Sequence, residues 1–207
     1  QSGVDRSLRL AGHAQQLHGE GWHFWAGLAG REGRINADGN GGRLHTDGRG
    51  GEMGIDHVGT AGTWGAGVTL GWSDAGTILA DRQSNAAGDA WHVGGYVRYG
   101  GGMRGPALTA TLLHQWHDAD VRRTIAFGAI SRTAQSDASV QTTAAGIEAR
   151  WGFAAGGWSI GPMVSAVAGT TRIGSIAEQG AGALNLAATA QSEDWLHYGG
   201  GMFAHHA

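Results

Sequence analysis

Eleven histidines and no cysteine stand among the 207 residues, so any metal or nucleophile chemistry must come from imidazole, carboxylate and hydroxyl groups. His114 and His117 have an H-x-x-H spacing, but on a strand an odd separation sends the two rings to opposite faces. His205 and His206 diverge for the same reason. Neither pair can share a metal, and no cofactor is expected. Gly48-Arg49-Gly50-Gly51 and the stretch Gly100–Gly105 have the composition of a phosphate cradle. A dinucleotide fingerprint needs a strand before and a helix after, whereas these glycines join strand to strand and read as turns. No G-x-S-x-G elbow is present. His92 with its nearby serines is the best Ser/His combination, and it carries one rival reading, a small barrel enzyme acting on lipid. No catalytic residue is assigned. All 14 basic residues are arginine and the net charge is −3, which gives no reason to expect a nucleic-acid partner.

The elements that would hold these residues alternate with period 2. Trp64, Ala66, Val68, Leu70 and Trp72 share one face of a segment whose other face is Gly65, Gly67, Thr69 and Gly71. The pattern recurs around Trp91–Tyr99, Leu108–Trp116, Ala145–Phe153 and Trp158–Ala166, and more weakly at Trp22–Gly30, Glu52–Val58 and Trp195–Ala204. Eight strands are predicted. Long polar connections (31–48, 74–89, 118–137 and 174–193) alternate with short ones near 60–63, 100–105 and 154–157. Long loops at one end and tight turns at the other are the wiring of an outer-membrane barrel. The expected fold is all-β, an antiparallel transmembrane β-barrel in contact with outer-membrane lipid; a soluble β-sandwich binding module is the remaining alternative.

Trp64 and Trp72 are eight residues apart on one face, as are Trp91 and Tyr99. Eight steps at ~3.3 Å, tilted by ~40°, span roughly 20 Å of height, close to the apolar band between two aromatic girdles. Trp22, Trp64, Tyr99, Trp151 and Trp158 would ring the periplasmic edge, and Trp72, Trp91 and Trp116 the outer one. The opposite faces carry few charges (Asp56, Arg98, Glu148 and Arg150), read as lumen groups, among glycines too small to fill a barrel. The glycines are expected to leave a wide lumen for water or an inserted element. Residues 1–20 form the candidate insert, a pore helix or linker, since Val4, Leu8 and Ala11 fall at helical spacing. Its Arg6 and Arg9 would meet Asp56 or Glu148.

From Arg122 onward the order of segments resembles the C-terminal β-domain of autotransporters (type V secretion). An arginine-rich strand end, Val121–Phe127, precedes a Glu-containing strand, Ala145–Phe153 with Glu148. Next come a strand with Pro162 and a Glu-Gly loop, Ile176–Leu186 with Glu178 and Gly180. Gly21–Gly30 with Trp22 resembles that family's first strand. The resemblance covers nearly the whole chain through order and spacing, not through one sharp motif. It implies a translocator in the outer membrane of a Gram-negative bacterium, with a passenger domain of its own N-terminal to the barrel and the barrel-assembly machinery as partner. Family barrels have twelve strands and end in an aromatic residue, so residues 21–207 are expected to be a truncated barrel of about eight strands. Self-cleavage at an Asn-Asn pair is not expected, because residues 1–20 contain no asparagine.

Overall fold

The computed structural model describes residues 19–36, 42–100 and 104–206. One antiparallel meander carries eight strands: β1 (Gly21–Ile35), β2 (Leu44–Val58), β3 (Trp64–Leu79), β4 (Ser84–Gly100), β5 (Gly105–Phe127), β6 (Ile130–Ala155), β7 (Trp158–Ile173) and β10 (Gln191–His206). Two short strands, β8 (Ile176–Ala177) and β9 (Ala187–Ala188), pair with each other inside the β7–β10 connection. Each long strand bonds to its neighbour in the chain, and β1 and β10 stand at the two edges of the sheet.

The connections at one end are tight because glycine supplies what they need. Gly156 and Gly157 join β6 to β7 with φ of +55° and +85°, the positive pair that a two-residue hairpin matching the strand twist demands. At the other end the strands are much longer than the alternation predicts. The stretch 74–89 is not a loop: β3 runs to Leu79, β4 starts at Ser84, and only a single turn lies between. Residues 31–35 and 44–48 are likewise the upper parts of β1 and β2, and 118–127 and 130–137 those of β5 and β6. The reason is physical. Apolar alternation marks only the part of a strand whose outer face is apolar, whereas backbone pairing continues beyond that level with polar side chains on the outer face. The stretch 174–193 does hold irregular chain, with β8, a short 3-10 turn at Gly182–Leu184, and β9.

The inner glycines also behave differently from the expectation of empty space. Gly67 of β3 lies in register between Asp56 of β2 and Tyr96 of β4. The Tyr96 hydroxyl donates a hydrogen bond to the Asp56 carboxylate across it. A Cβ placed on Gly67 would meet that carboxylate oxygen and come within 2.8 Å of the tyrosine ring. Gly54 likewise seats Trp25, Gly71 seats His92, and Gly169 seats Trp195, each a large inner side chain of the adjacent strand. These glycines are sockets for neighbouring side chains, so the inner face is covered by side chains lying flat against the wall.

Candidate functional site: the two faces of the wall

Directly opposed residues of antiparallel strands share a face, so the register sorts every side chain into an outer or an inner set. The outer set is apolar and open: Val97 is 57 % exposed and Leu70 48 %. The inner set is shut away and holds the charged groups beside the apolar Val58, Leu113 and Val167: Asp56 is 0 % exposed, Arg98 8 % and Thr69 3 %. A water-soluble protein does the reverse, because exposing Val68, Leu70, Val97, Leu112, Ile147 and Val164 to water while burying carboxylate and guanidinium opposes the transfer free energies of both. The arrangement suits a wall with hydrocarbon outside and a polar passage inside. No described helix is long and apolar enough to cross a membrane, and crossing here falls to strands.

Eight of the aromatic residues sit on the outer face in two rows, while Trp25, Tyr96 and Trp195 are inner. Trp72, Trp91 and Trp116 oppose one another directly across β3, β4 and β5. At the lower end Trp64 opposes Tyr99, while Trp151 pairs with Pro106 and Trp158 with Ala155. Trp22 opposes His57, whose ring packs edge-on against it at 4.8 Å between centroids and tilted against Trp64 at 5.2 Å. Immediately above the upper tryptophans lies a feature that periodicity does not reveal. Asp74, Asp89 and Asp118 oppose one another across β3, β4 and β5, and one step higher Asp120 opposes Asp137. Only the register puts these carboxylates side by side. Arg49 offsets the first, with Nε 2.9 Å from Asp74.

The candidate lumen charges Asp56, Arg98, Glu148 and Arg150 all fall on the inner face. Arg98, Thr109 and Glu148 follow one another across β4, β5 and β6. Arg150 lies over the ring of Phe203 from β10, its guanidinium carbon 5.2 Å from the centroid. Arg6 and Arg9 lie outside the described residues, as does the proposed pore helix up to residue 18. His92 is also an inner residue, with Nε2 3.6 Å from a carboxylate oxygen of Glu52. A lipid-hydrolysing site would have to open outward, and His92 faces away from that side. His114 and His117 lie on opposite faces. On the outer one, His114 Nδ1 is 2.8 Å from Thr143 Oγ1 and its ring meets Trp116 edge-on, so a polar pair below the upper tryptophans satisfies itself. No group of three metal-ligating side chains comes together among the described residues.

Above the Trp72–Trp91–Trp116 row the β7–β10 connection is fastened to the tall β5–β6 hairpin. Arg123 of β5 reaches over the small, buried Ala134 of β6 and grips Glu178 with two hydrogen bonds of 2.9 and 2.5 Å. The same guanidinium donates to the Leu184 carbonyl, and Glu178 also accepts from the Leu186 amide. Backbone bonds in both directions join Gln135 to Gln179. The Arg123 guanidinium holds the Glu178 carboxyl below the usual glutamate range.

The family description "Autotransporter beta-domain" matches residues 24–207. The chain belongs to that family. It is therefore an outer-membrane translocator for a passenger domain. Its fold is similar to the translocator domain of the autotransporter NalP from Neisseria meningitidis, with a TM-score of 0.75 at 16 % identity over 96 % of this chain and 67 % of that one. The β-domain of the Bordetella autotransporter BrkA matches at 16 % identity over 89 % of this chain and 97 % of that one, with a TM-score of 0.38. A search of curated protein sequences finds no match. Autotransporter β-domains are outer-membrane barrels of Gram-negative bacteria.

Proposed function

We propose that the sheet is the larger part of a closed barrel whose polar inner face lines the route by which this protein's own N-terminal passenger reaches the cell surface. The observation that carries the reading is the inversion of the two faces, with Val68, Leu70 and Val97 open and Asp56, Tyr96 and Arg98 shut in. Closure requires further strands of the same protein between β10 and β1. Two unpaired backbone edges cannot stand in lipid, where each unsatisfied amide or carbonyl costs several kcal/mol. Twelve strands in all fits the family pattern.

Residues 21–207 supply wall, girdles and sockets, and residues 1–20 occupy the lumen, with Arg6 and Arg9 meeting Asp56 or Glu148. The domain does no bond chemistry of its own. Outer-membrane lipid covers the face between the Trp72–Trp91–Trp116 row and the Trp64–Tyr99 pair, and the barrel-assembly machinery of a Gram-negative host inserts the strands. Expressed at full length in such a host, the protein should be extracted only by detergent, with a passenger that externally added protease removes and a β-domain that it spares. A chain released by salt alone, or a passenger that the protease never reaches, refutes the reading. Reversing Arg6 and Arg9 to glutamate should change single-channel conductance, and unchanged conductance refutes the lumen placement of residues 1–20.

A further inference from the structure

The β5–β6 hairpin is the tallest of the sheet, and its two faces exchange character at the tryptophan row. Below Trp116 the outer face is apolar, with Leu108 and Leu112, and the inner face polar, with Thr109 and Thr111. Above it the outer face carries Asp118, Asp120, Arg122, Asp137 and Ser139. The inner face carries Val121, Ile125, Phe127, Ile130 and Val140, interrupted by Arg123 and by Arg132, which opposes Ile125. No bulge interrupts the pairing from Gly105–Gly152 to Phe127–Ile130, so the exchange is written in the sequence and not produced by a twist of the backbone.

Phe127 stands eleven residues beyond Trp116, which at ~3.3 Å per residue and ~40° of tilt is about 28 Å above the girdle. Membrane hydrocarbon does not reach that level. Yet Phe127 is 54 % and Ile130 43 % exposed, directly opposed and on the inner side. Lower on this hairpin, the β7–β10 connection already lies against it: Gln179 bonds to the β6 backbone at Gln135, and Arg123 fixes Glu178. The hairpin therefore accepts a segment of extended chain, and the tip above Arg123 is the uncovered remainder.

We infer that the inner face of the β5–β6 tip, centred on Ile125, Phe127 and Ile130, is a contact surface for the passenger polypeptide as it leaves the barrel in extended form. The occupant follows from continuity. This face is the upward prolongation of the inner wall, which faces the route that the passenger takes. An extended chain offers what the tip lacks, apolar side chains at every second position and backbone groups to pair with the free β5 edge beyond Thr124. Contacts of this kind discourage the emerging chain from sliding back without demanding a particular sequence.

The inference rests on the translocator assignment, and the test separates the two. In the full-length protein a photoreactive phenylalanine analogue replaces Phe127 or Ile130 on the inner face, or Ala126 or Ser131 on the outer. The passenger is stalled during export by a folded, disulfide-bonded insert. Irradiation should join the passenger to the two inner positions at least fivefold more than to the two outer ones. Equal yields, no adduct, or adducts to lipid or to a second copy overturn the inference. Phe127→Asp combined with Ile130→Asp should slow the arrival of protease-accessible passenger several-fold while the yield of folded, detergent-extracted barrel stays the same. An unchanged rate overturns it as well. A passenger that never reaches external protease in the unaltered protein refutes the translocator assignment instead.

Discussion

Replacing Gly67 with alanine adds one methyl group where the wall has no room for it. The new Cβ would fall on the Asp56 carboxylate and 2.8 Å from the Tyr96 ring, so both side chains must leave the wall and their hydrogen bond must break. Overpacking a well-filled site costs about 1–3 kcal/mol, and losing a buried hydrogen bond to a charged acceptor about 1.5–3. One displacement causes both, so the sum is not taken, and about 2–4 kcal/mol is expected. The control is Gly199→Ala, whose added Cβ would have nothing within 4 Å. Equilibrium urea unfolding of the full-length protein in phospholipid vesicles reads the difference. In a Tyr96→Ala background, which empties half of the socket, the cost of Gly67→Ala should fall below about 1 kcal/mol, because contacting residues are not additive. If Gly67→Ala and Gly199→Ala agree within about 0.5 kcal/mol, the spread expected of independent sites, the socket account of the inner glycines is wrong.

Val68 lies four residues from each of Trp64 and Trp72 on the outer face, so Val68→Arg should destabilise by about 2–4 kcal/mol in vesicles, and a neutral result would remove lipid from that face. Asp89 is flanked in register by Asp74 and Asp118, so Asp89→Asn should stabilise by up to about 1 kcal/mol in low salt, with the gain shrinking as salt is added. The grip of Arg123 lowers the Glu178 carboxyl, so its contribution to anchoring residues 174–190 is complete above the ordinary glutamate value near ~4.3 and is lost as pH falls through the lower folded value. Pepsin should then cut that connection only at the acid end of its range in the unaltered protein, and at every pH in Glu178→Gln; identical cleavage profiles would show that the ion pair anchors nothing.

Which parts of this wall were legible in the sequence has a physical boundary. Between Trp64 and Trp72 every second position, the outer-face one, is apolar, so alternation is strict and the strand is readable. Beyond Trp72 the outer face turns polar, Asp74 and Gly76 carry no alternating signal, and the strand nevertheless continues to Leu79 because backbone pairing does not depend on it. The candidate site shows the same division. Which face Asp56, Arg98, Glu148 and Arg150 occupy follows from parity alone. That Asp56 reaches Tyr96 across Gly67, or that three aspartates line up above three tryptophans, depends on register between strands, and a single strand's sequence holds no information about its neighbour's offset. The Arg123–Glu178 grip joins residues 55 positions apart and was beyond any local pattern.

The carboxylate band formed by Asp74, Asp89 and Asp118, with Asp120 and Asp137 above it, belongs to one rim, and the opposite rim is closed by short turns such as Gly156–Gly157. Such a body is polarised as an arrow is. During insertion the acidic rim must be carried across the hydrocarbon once, and return would require dragging at least five carboxylates back through it. If that rim is the outer one, as the proposed passenger route requires, orientation is decided on the way in and held afterwards by the cost of that return.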